Sequence, residues 1–457
     1  MISFESLLET GQKKALHVFK MQAKNVPFYR KFLRESNVHS EKIKTIDDFI
    51  KLVPIMDKER LFVSNLQNIS EILSGNSLGD CQSILPSSGF SGKFSFGINT
   101  KRDAKPQEKH ADMMLDLVFD VGRKKTLLIN ALCMGIAIPT AKVTTVSTGP
   151  RMDIVISVVK TFAGQFDQMI IAGDNCLLKN TIERGIEDGI RWHENVTHLI
   201  LGGDSFPENF RSYLAHLMGA DIDREQKVLL GSSFGIAEIG LNILWESANT
   251  IRMRRAASLD TKFRTALLGR EEDFCPMLFQ YNPLQVYVEE SHGRLLFTNL
   301  NTNAITPIVR YSSGDMGMII PYERIAKTLK AVGLEKYMPR FHLPMVAVKE
   351  RLQYLNFGER LIFPGIIKNA LYSDFELPGI TTGYYRIAES DGNLLLEIQL
   401  KEGAMLTDDI KKRFEVAVAC YVRDVKIELK FYPYREFQYG MGLDYERKFQ
   451  YMFQCHA

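Results

Sequence analysis

The sequence predicts an α/β protein: a large N-terminal domain of several subdomains built on buried sheets, followed by a small α+β C-terminal domain. Three observations lead there. The 457 residues exceed what one domain usually holds. Through the middle, short apolar runs alternate with amphipathic segments, the pattern of buried strands crossed by helices. Beyond Leu284 come strand-like pieces divided by Gly, Asn and Ser, and beyond Pro344 a short strand–helix–strand run.

Residues 1 to about 75 read as helical. Thr45 stands three residues before Asp48, a capping-type start, Pro54 breaks the pattern, and Asp57 is placed to cap another helix. "TLLINALCMGIAI" (126–138), "QMIIAGD" (168–174) and "VTHLILGGD" (196–204) predict buried strands. "ENFRSYLAHLMGA" predicts a helix ended by Gly219. "LQVYVEE", "GRLLFTNL", "ITPIVRYSSGD" and "MGMII" predict further strands. Near the end, "NLLLEIQL" and "VKIELKFYP" predict strands around a helix, "TDDIKKRFEVAVACYV", capped by Thr407. The domains are expected at 1-348 and 349-457.

Composition narrows the function classes. Fifty-seven basic and 54 acidic residues leave a net charge of +3, which argues against a strongly basic nucleic-acid binder. No run reaches the roughly 18 apolar residues of a membrane span, and "MISFESLLETGQKK" lacks an apolar core of signal-peptide length. The six cysteines are scattered without a CxxC, so reduced thiols and a cytoplasmic location are expected. The nine histidines show no HExxH spacing, so structural zinc is not indicated.

One stretch stands out, "ILPSSGFSGKFSFGI", from Ile84 to Ile98. It is not a Walker loop: only two residues separate Gly89 from Gly92, and Phe94 follows Lys93 where a hydroxyl is needed. Phe94, Phe96 and Ile98 alternate with Ser95 and Gly97, which is strand periodicity. The segment therefore predicts a hairpin bend with Ser87, Ser88, Ser91 and Lys93 at its tip. Hydroxyls, backbone N–H groups and one ammonium can wrap a polyphosphate; a solvated turn is the alternative.

Three further motifs follow in order: "LILGGDSFPE" with Gly202, Gly203 and Asp204; "LLGSSFGIAEIG" with Ser233, Phe234, Gly235 and Glu238; and "TPIVRYSSGDMG" with Asp315. With the Ser/Gly/Lys stretch in front, this order resembles the adenylate-forming superfamily of acyl-CoA synthetases, in particular its phenylacetate–CoA ligase and coenzyme F390 synthetase branch. "NVPFYRKFL", "LVPIMDKERL" and "PMLFQYNPLQVYVEE" resemble that branch too. The resemblance implies a large adenylation domain that holds the nucleotide and a small mobile domain that closes over it, with a hinge near 350–353. It implies ATP, Mg2+ and a carboxylic acid as reactants, pyrophosphate as product, and CoA or an external carrier-protein thiol as acceptor.

Residue by residue, the resemblance gives Ser87, Ser88, Gly89, Ser91, Gly92 and Lys93 to the β- and γ-phosphates. Gly202, Gly203 and Asp204 would lie against the adenine, Phe234 would stack on it, Glu238 would hold magnesium, and Asp315 would accept from the ribose hydroxyls. Arg351 would reach a phosphate or ribose, and Lys448 would stabilise charge as pyrophosphate leaves. Leu132, Met134, Ile136 and Ile239 are the apolar candidates for an aryl or acyl acid pocket.

The sequence also departs from the family pattern. Phe90 and Ser91 replace two Thr residues, Ala237 replaces Thr or Ser before Glu238, and Phe234 replaces Tyr. Gln353 stands at the hinge where Asp is usual, and Arg447 precedes Lys448 instead of Gly. Adenylation of a hydroxyl, adenylation without thiol transfer, and a nucleotide-binding pseudoenzyme are the alternatives. A homodimer is left open.

Overall fold

Local capping rules set the helices of the first quarter. The Thr45 side chain accepts from the Asp48 N–H while the Asp48 carboxylate accepts from the Thr45 N–H, starting helix Ile46–Leu52. Asp57 caps helix Lys58–Leu61 by accepting from the Arg60 N–H. The computed structural model describes residues 4–87, 93–133, 135–223, 227–351, 354–358, 360–437 and 449–453.

The apolar runs of the middle form one large mixed sheet. Its parallel half runs Thr144–Ser147, Thr126–Asn130, Gln168–Asp174, Thr197–Gly202, Leu230–Ile236. Helices Met152–Phe162, Asn175–Glu187 and Glu208–Met218 make the crossovers, the last ended by Gly219 in the left-handed region. The sheet continues antiparallel through Gly240–Trp245, Met277–Tyr281, Met345–Arg351, Tyr311–Ile320, Arg294–Asn299 and Val286–Ser291. Met56–Asp57 adds to Tyr311–Ser312 in parallel. Central strands are apolar on both faces; all five residues of Thr126–Asn130 are buried.

The small domain is a separate sheet of Thr381–Ser390, Asn393–Leu400 and Ile427–Tyr432, packed with helices Pro364–Leu371 and Asp408–Tyr421. Thr407 caps the second helix through the Ile410 N–H. The chain end returns to this sheet, where Met452 bridges Ile387.

The two domains share one apolar core. Phe210 and Tyr213 of the large domain pack edge-on against Tyr372 of the small one, at 4.8 and 5.5 Å. Lys179 is fully buried and donates to the carbonyls of Pro378 (2.8 Å) and Thr381 across the boundary. Its helix neighbour Glu183 pairs with Lys401 at 2.9 Å. Asn180 donates to the Thr382 carbonyl, and Asn209 to the Asn369 carbonyl and the Tyr421 hydroxyl.

The structure departs from the sequence reading at three places. The strand predicted over 126–138 ends at Asn130, whose side chain bonds the Leu132 N–H and the Ile136 carbonyl and turns the chain away. Strand Thr381–Ser390 was not singled out by its sequence pattern. In the hairpin Cys81–Pro86/Phe96–Thr100, Ile98 is buried and Phe96 half-buried as the alternation expects, but Phe94 is exposed and Ser95 and Gly97 are buried too. Among the described residues no two cysteines form a disulfide, and no described helix is long and apolar enough to cross a membrane.

Candidate active site

The carboxyl ends of the parallel strands gather the motifs, the usual ligand position in open α/β sheets. Asp174 and Gly202 lie side by side in register, and Leu201 is opposite Ser232, so the Gly202–Asp204 and Ser233–Gly235 segments leave neighbouring strands at the same end. Gly203 has φ +87°, and a Cβ there would come within 2.7 Å of Asp174 Oδ2. Only glycine fits that bend. The Asp204 carbonyl accepts from Asn175 Nδ2 at 2.9 Å. Leu132 lies against Gly202, its Cδ2 3.5 Å from where a Cβ would be.

Phe234 is half-buried, its ring stacked on Phe297 at 5.9 Å and tilted against Phe279 at 6.2 Å. Ser233 donates to Asn242 Oδ1 at 2.7 Å, which ties this strand to the next. Glu238 follows at the hairpin turn and is buried, with Tyr311 donating to its Oε1 at 2.5 Å.

The hairpin carrying the Ser/Gly/Lys stretch lies directly on this turn. A Cβ at Gly97 would run into the Ala237 carbonyl. This contact explains why the small face of Ser95 and Gly97 is buried: backbone meets backbone there. The stem of the loop is closed by Ser87, whose N–H donates to the Ser95 carbonyl and whose Oγ accepts from the Ser95 N–H. Lys58 also donates to Ser87 Oγ, at 3.1 Å. Lys93, on the far side, pairs with Glu59 at 2.5 Å, each about half exposed.

Lys58 and Glu59 follow the strand that pairs with Tyr311 and Ser312. Strand Tyr311–Ile320 also carries Asp315, buried, with the Ser313 hydroxyl donating to its Oδ2 at 2.6 Å. The Arg351 Cα lies opposite Asp315 in the register. The loop stem, Glu238 and Asp315 are thus linked through one strand. Sequence reasoning missed Lys58, Glu59 and Tyr311; the first two stand in "LVPIMDKERL", which carried a resemblance but no role.

Ser88, Gly89, Phe90, Ser91, Gly92, Met134, Gln353, Arg447 and Lys448 lie outside the described residues, as does the Arg351 side chain. The residues flanking the last of these segments, Phe437 and Phe449, are buried and stack at 6.2 Å. Ile136 gives its carbonyl to Asn130, and Ile239 packs on the main core. Among the described residues no group of three or more His, Cys, Asp or Glu is arranged for a metal. A Mg2+ that takes one carboxylate and relies on substrate phosphates needs no such group, and Glu238 fits that role.

No family model and no curated protein matches this sequence. Solved structures do. The chain is similar to 2-hydroxyisobutyryl-CoA ligase in its postadenylation state with an acyl-AMP, at TM-score 0.68 and 12% identity over 99% of this chain and 90% of that one. Against an open conformation of the same ligase with 2-HIB-AMP and CoA the TM-score is 0.55, at 13% identity over 98% and 91%. An anthranilate CoA ligase with anthranoyl-AMP gives 0.50, at 9% identity over 81% and 66%. At such identities the likeness establishes architecture: this chain has the two-domain fold of the adenylate-forming ligases.

Proposed function

We propose that the protein is an AMP-forming ligase. It would join a carboxylic acid to AMP, release pyrophosphate, and pass the acyl group to CoA or another external thiol. The observation that carries this reading is the convergence on Tyr311. Its hydroxyl orients Glu238, its strand carries Asp315, and the strand paired with it leads into Lys58 and Glu59, which hold both sides of the Ser/Gly/Lys loop.

Ser87, Ser88, Gly89, Ser91, Gly92 and Lys93 would take the outer phosphates. Lys93 must exchange its exposed bond to Glu59 for the phosphate, which costs little because such pairs are worth about 0–1 kcal/mol. Gly202 and Gly203 leave room for a flat ring, and Phe234 would cover it. Asp315 would accept from the ribose. Mg2+, held through Glu238, would supply charge neutralisation of the triphosphate when bound. The acid would attack the α-phosphorus in line, with pyrophosphate as leaving group, so positioning and electrostatics suffice and no protein nucleophile is needed. Lys448 is assigned to the developing charge by motif order alone. Leu132, Met134, Ile136 and Ile239 would line an apolar acid pocket. The phenylacetate–CoA ligase branch likewise rests on motif order.

The test is acid-dependent exchange of pyrophosphate into ATP, run with aryl and fatty acids on wild type and Lys448→Ala, followed by a thioester assay with CoA. Exchange that requires an acid supports the reading and names the acid class. Exchange without thioester would favour adenylation alone, a second reading supported by the buried polar contacts that Lys179, Asn180 and Asn209 make across the domains. ATP binding with no exchange for any acid would sink the carboxylate reading and leave the hydroxyl-adenylating and pseudoenzyme ones.

A further inference from the structure

A buried ionic cluster joins the segment that follows Gly202–Asp204 to the one that precedes Ser233–Gly235, and the mechanism above gives it no role. Glu208 and Arg211 stand on helix Glu208–Met218, Arg254 on helix Ala248–Leu259, and Glu246 just past strand Gly240–Trp245. All four are buried, Arg211 completely. Glu208 accepts from Arg211 Nε at 3.0 Å and from Arg254 Nη1 at 2.6 Å, and Glu246 accepts from Arg211 Nη2 at 2.9 Å. Two cations thus meet two anions. Well-packed apolar side chains would stabilise a core at least as well as buried ion pairs do. What a guanidinium adds is a rigid fork of donors that fixes whatever it bonds.

The forks bond backbone on both walls of the base slot in the ATP reading. On one wall, Arg254 Nη2 donates to the carbonyl of Phe206, two residues past Asp204, at 2.6 Å, and the Arg211 guanidinium lies 4.9 Å over the Phe206 ring. On the other, Arg211 donates to the Leu230 carbonyl, and Glu246 Oε2 accepts from the Ser232 N–H at 2.9 Å. The Ser232 hydroxyl joins the walls directly. It donates to the Leu201 carbonyl at 3.0 Å, so the residues just ahead of Gly202 and Ser233 are bonded to each other. Arg254 Nε also holds the Pro276 carbonyl at 2.9 Å, at the entry to strand Met277–Tyr281, whose Phe279 packs on the Phe234 ring. None of these bonds runs to the Ser/Gly/Lys stretch.

A slot for a flat ring works at one width only. Resting on the ATP reading above, we propose that Arg254, Arg211 and Ser232 are positioning residues for the nucleotide base: they hold Gly202 and Gly203 at the distance from Phe234 that a purine ring fills, and they act on the base and not on the outer phosphates.

The test is calorimetric binding of ATP, adenosine, GTP and inorganic tripolyphosphate to the full chain, for wild type, Arg254→Lys and Ser232→Ala. Lysine keeps a charge beside Glu208 but lacks the fork that also reaches the Phe206 and Pro276 carbonyls. Thermal unfolding checks that each variant is folded. Arg254→Lys should weaken ATP and adenosine alike by roughly ten- to a hundredfold, as a misplacement of about 1 Å can. It should also narrow the preference for ATP over GTP and leave tripolyphosphate within about twofold. Ser232→Ala removes one neutral hydrogen bond and should act in the same sense, by roughly two- to tenfold. Asp223→Asn, which breaks the outlying Arg255–Asp223 pair, is the control and should match wild type with all four ligands. A role in stability alone would lower the number of binding sites and leave every dissociation constant unchanged, which would overturn the proposal. Equal losses for adenosine and tripolyphosphate would overturn it too. Ser232→Ala decides the matter where Arg254→Lys fails to fold. A wild type that binds neither ATP nor adenosine would overturn the nucleotide reading itself and this inference with it; a wild type that binds both, with variants whose adenosine affinity is unchanged, overturns this inference alone.

Discussion

The Tyr311 hydroxyl donates to Glu238 Oε1 at 2.5 Å, with both side chains buried. The bond fixes the one carboxylate on the turn that the Ser/Gly/Lys hairpin covers. A hydrogen bond to a charged group is worth about 1.5–3 kcal/mol, and the bare carboxylate would also be freer to turn. Tyr311→Phe should therefore raise the Mg2+ concentration needed for half-maximal ATP–pyrophosphate exchange by roughly ten- to a hundredfold. Glu238→Gln should abolish exchange at any Mg2+ concentration. A Tyr311→Phe enzyme with an unshifted Mg2+ curve would separate Tyr311 from the metal role proposed for Glu238.

Gly97 is the contact between the loop hairpin and the Glu238 turn. Its missing side chain faces the backbone carbonyl of Ala237, which has no rotamer to move aside. Gly97→Ala should force the hairpin off the turn at a cost of about 1–3 kcal/mol and take exchange with it. Gly164→Ala is the control, because a Cβ there meets nothing within 4 Å. Thermal unfolding and exchange measured together check both, and equal behaviour of the two variants would refute the packing role.

A buried histidine sets an acid limit on the fold. His198 Nδ1 accepts from the Leu229 N–H at 2.9 Å, so its Nε2 carries the proton and donates to Gln168 Oε1 at 3.0 Å. Desolvation, and then Lys124, hold the ring at about 4 against its ordinary 6.5. Between those values the unfolded chain binds a proton that the folded chain refuses. Stability contributed by this group is therefore full above about 6.5 and lost as pH falls toward 4, on the order of 3 kcal/mol in all. Denaturant unfolding at several pH values should show that loss in wild type and a smaller slope in His198→Gln. Parallel curves would place the acid sensitivity elsewhere.

How far the sequence was legible follows the range of the interactions involved. Thr45 with Asp48, Asp57 with Arg60, and the Gly219 terminus are local rules, and each is realised. The motif order likewise led to the fold, because loops at one end of a parallel sheet come together whatever their separation. The burial of Ser95 and Gly97 was not legible, since periodicity assumes that only apolar side chains point in, and here a backbone occupies the space. Lys58 and Glu59 meet Ser87 and Lys93 across about thirty residues. No spacing within one segment encodes contacts of that range. Strand Thr381–Ser390 escaped because its polar residues are buried among partners: Thr382 donates to Gln399 Oε1, and Arg386 pairs with Glu397.

Glu59 holds the ammonium that the phosphate loop is proposed to use. The Lys93–Glu59 pair is 2.5 Å long, but both side chains are about half exposed, 50% and 51%. Water competes for each, so the pair contributes about 0.2–1 kcal/mol to stability at most. As a competitor for Lys93 under the proposed role, however, Glu59 would oppose ATP by a similar amount. Glu59→Gln should thus leave the unfolding midpoint nearly unchanged while tightening ATP by roughly two- to fivefold. Lys93→Ala should weaken ATP, and in the double variant the gain from Glu59→Gln should vanish, because there is no ammonium left to release. Added salt should shrink the gain too, since screening already loosens an exposed pair. If Glu59→Gln tightens ATP equally in the Lys93→Ala background, the carboxylate acts on the nucleotide directly and not through Lys93.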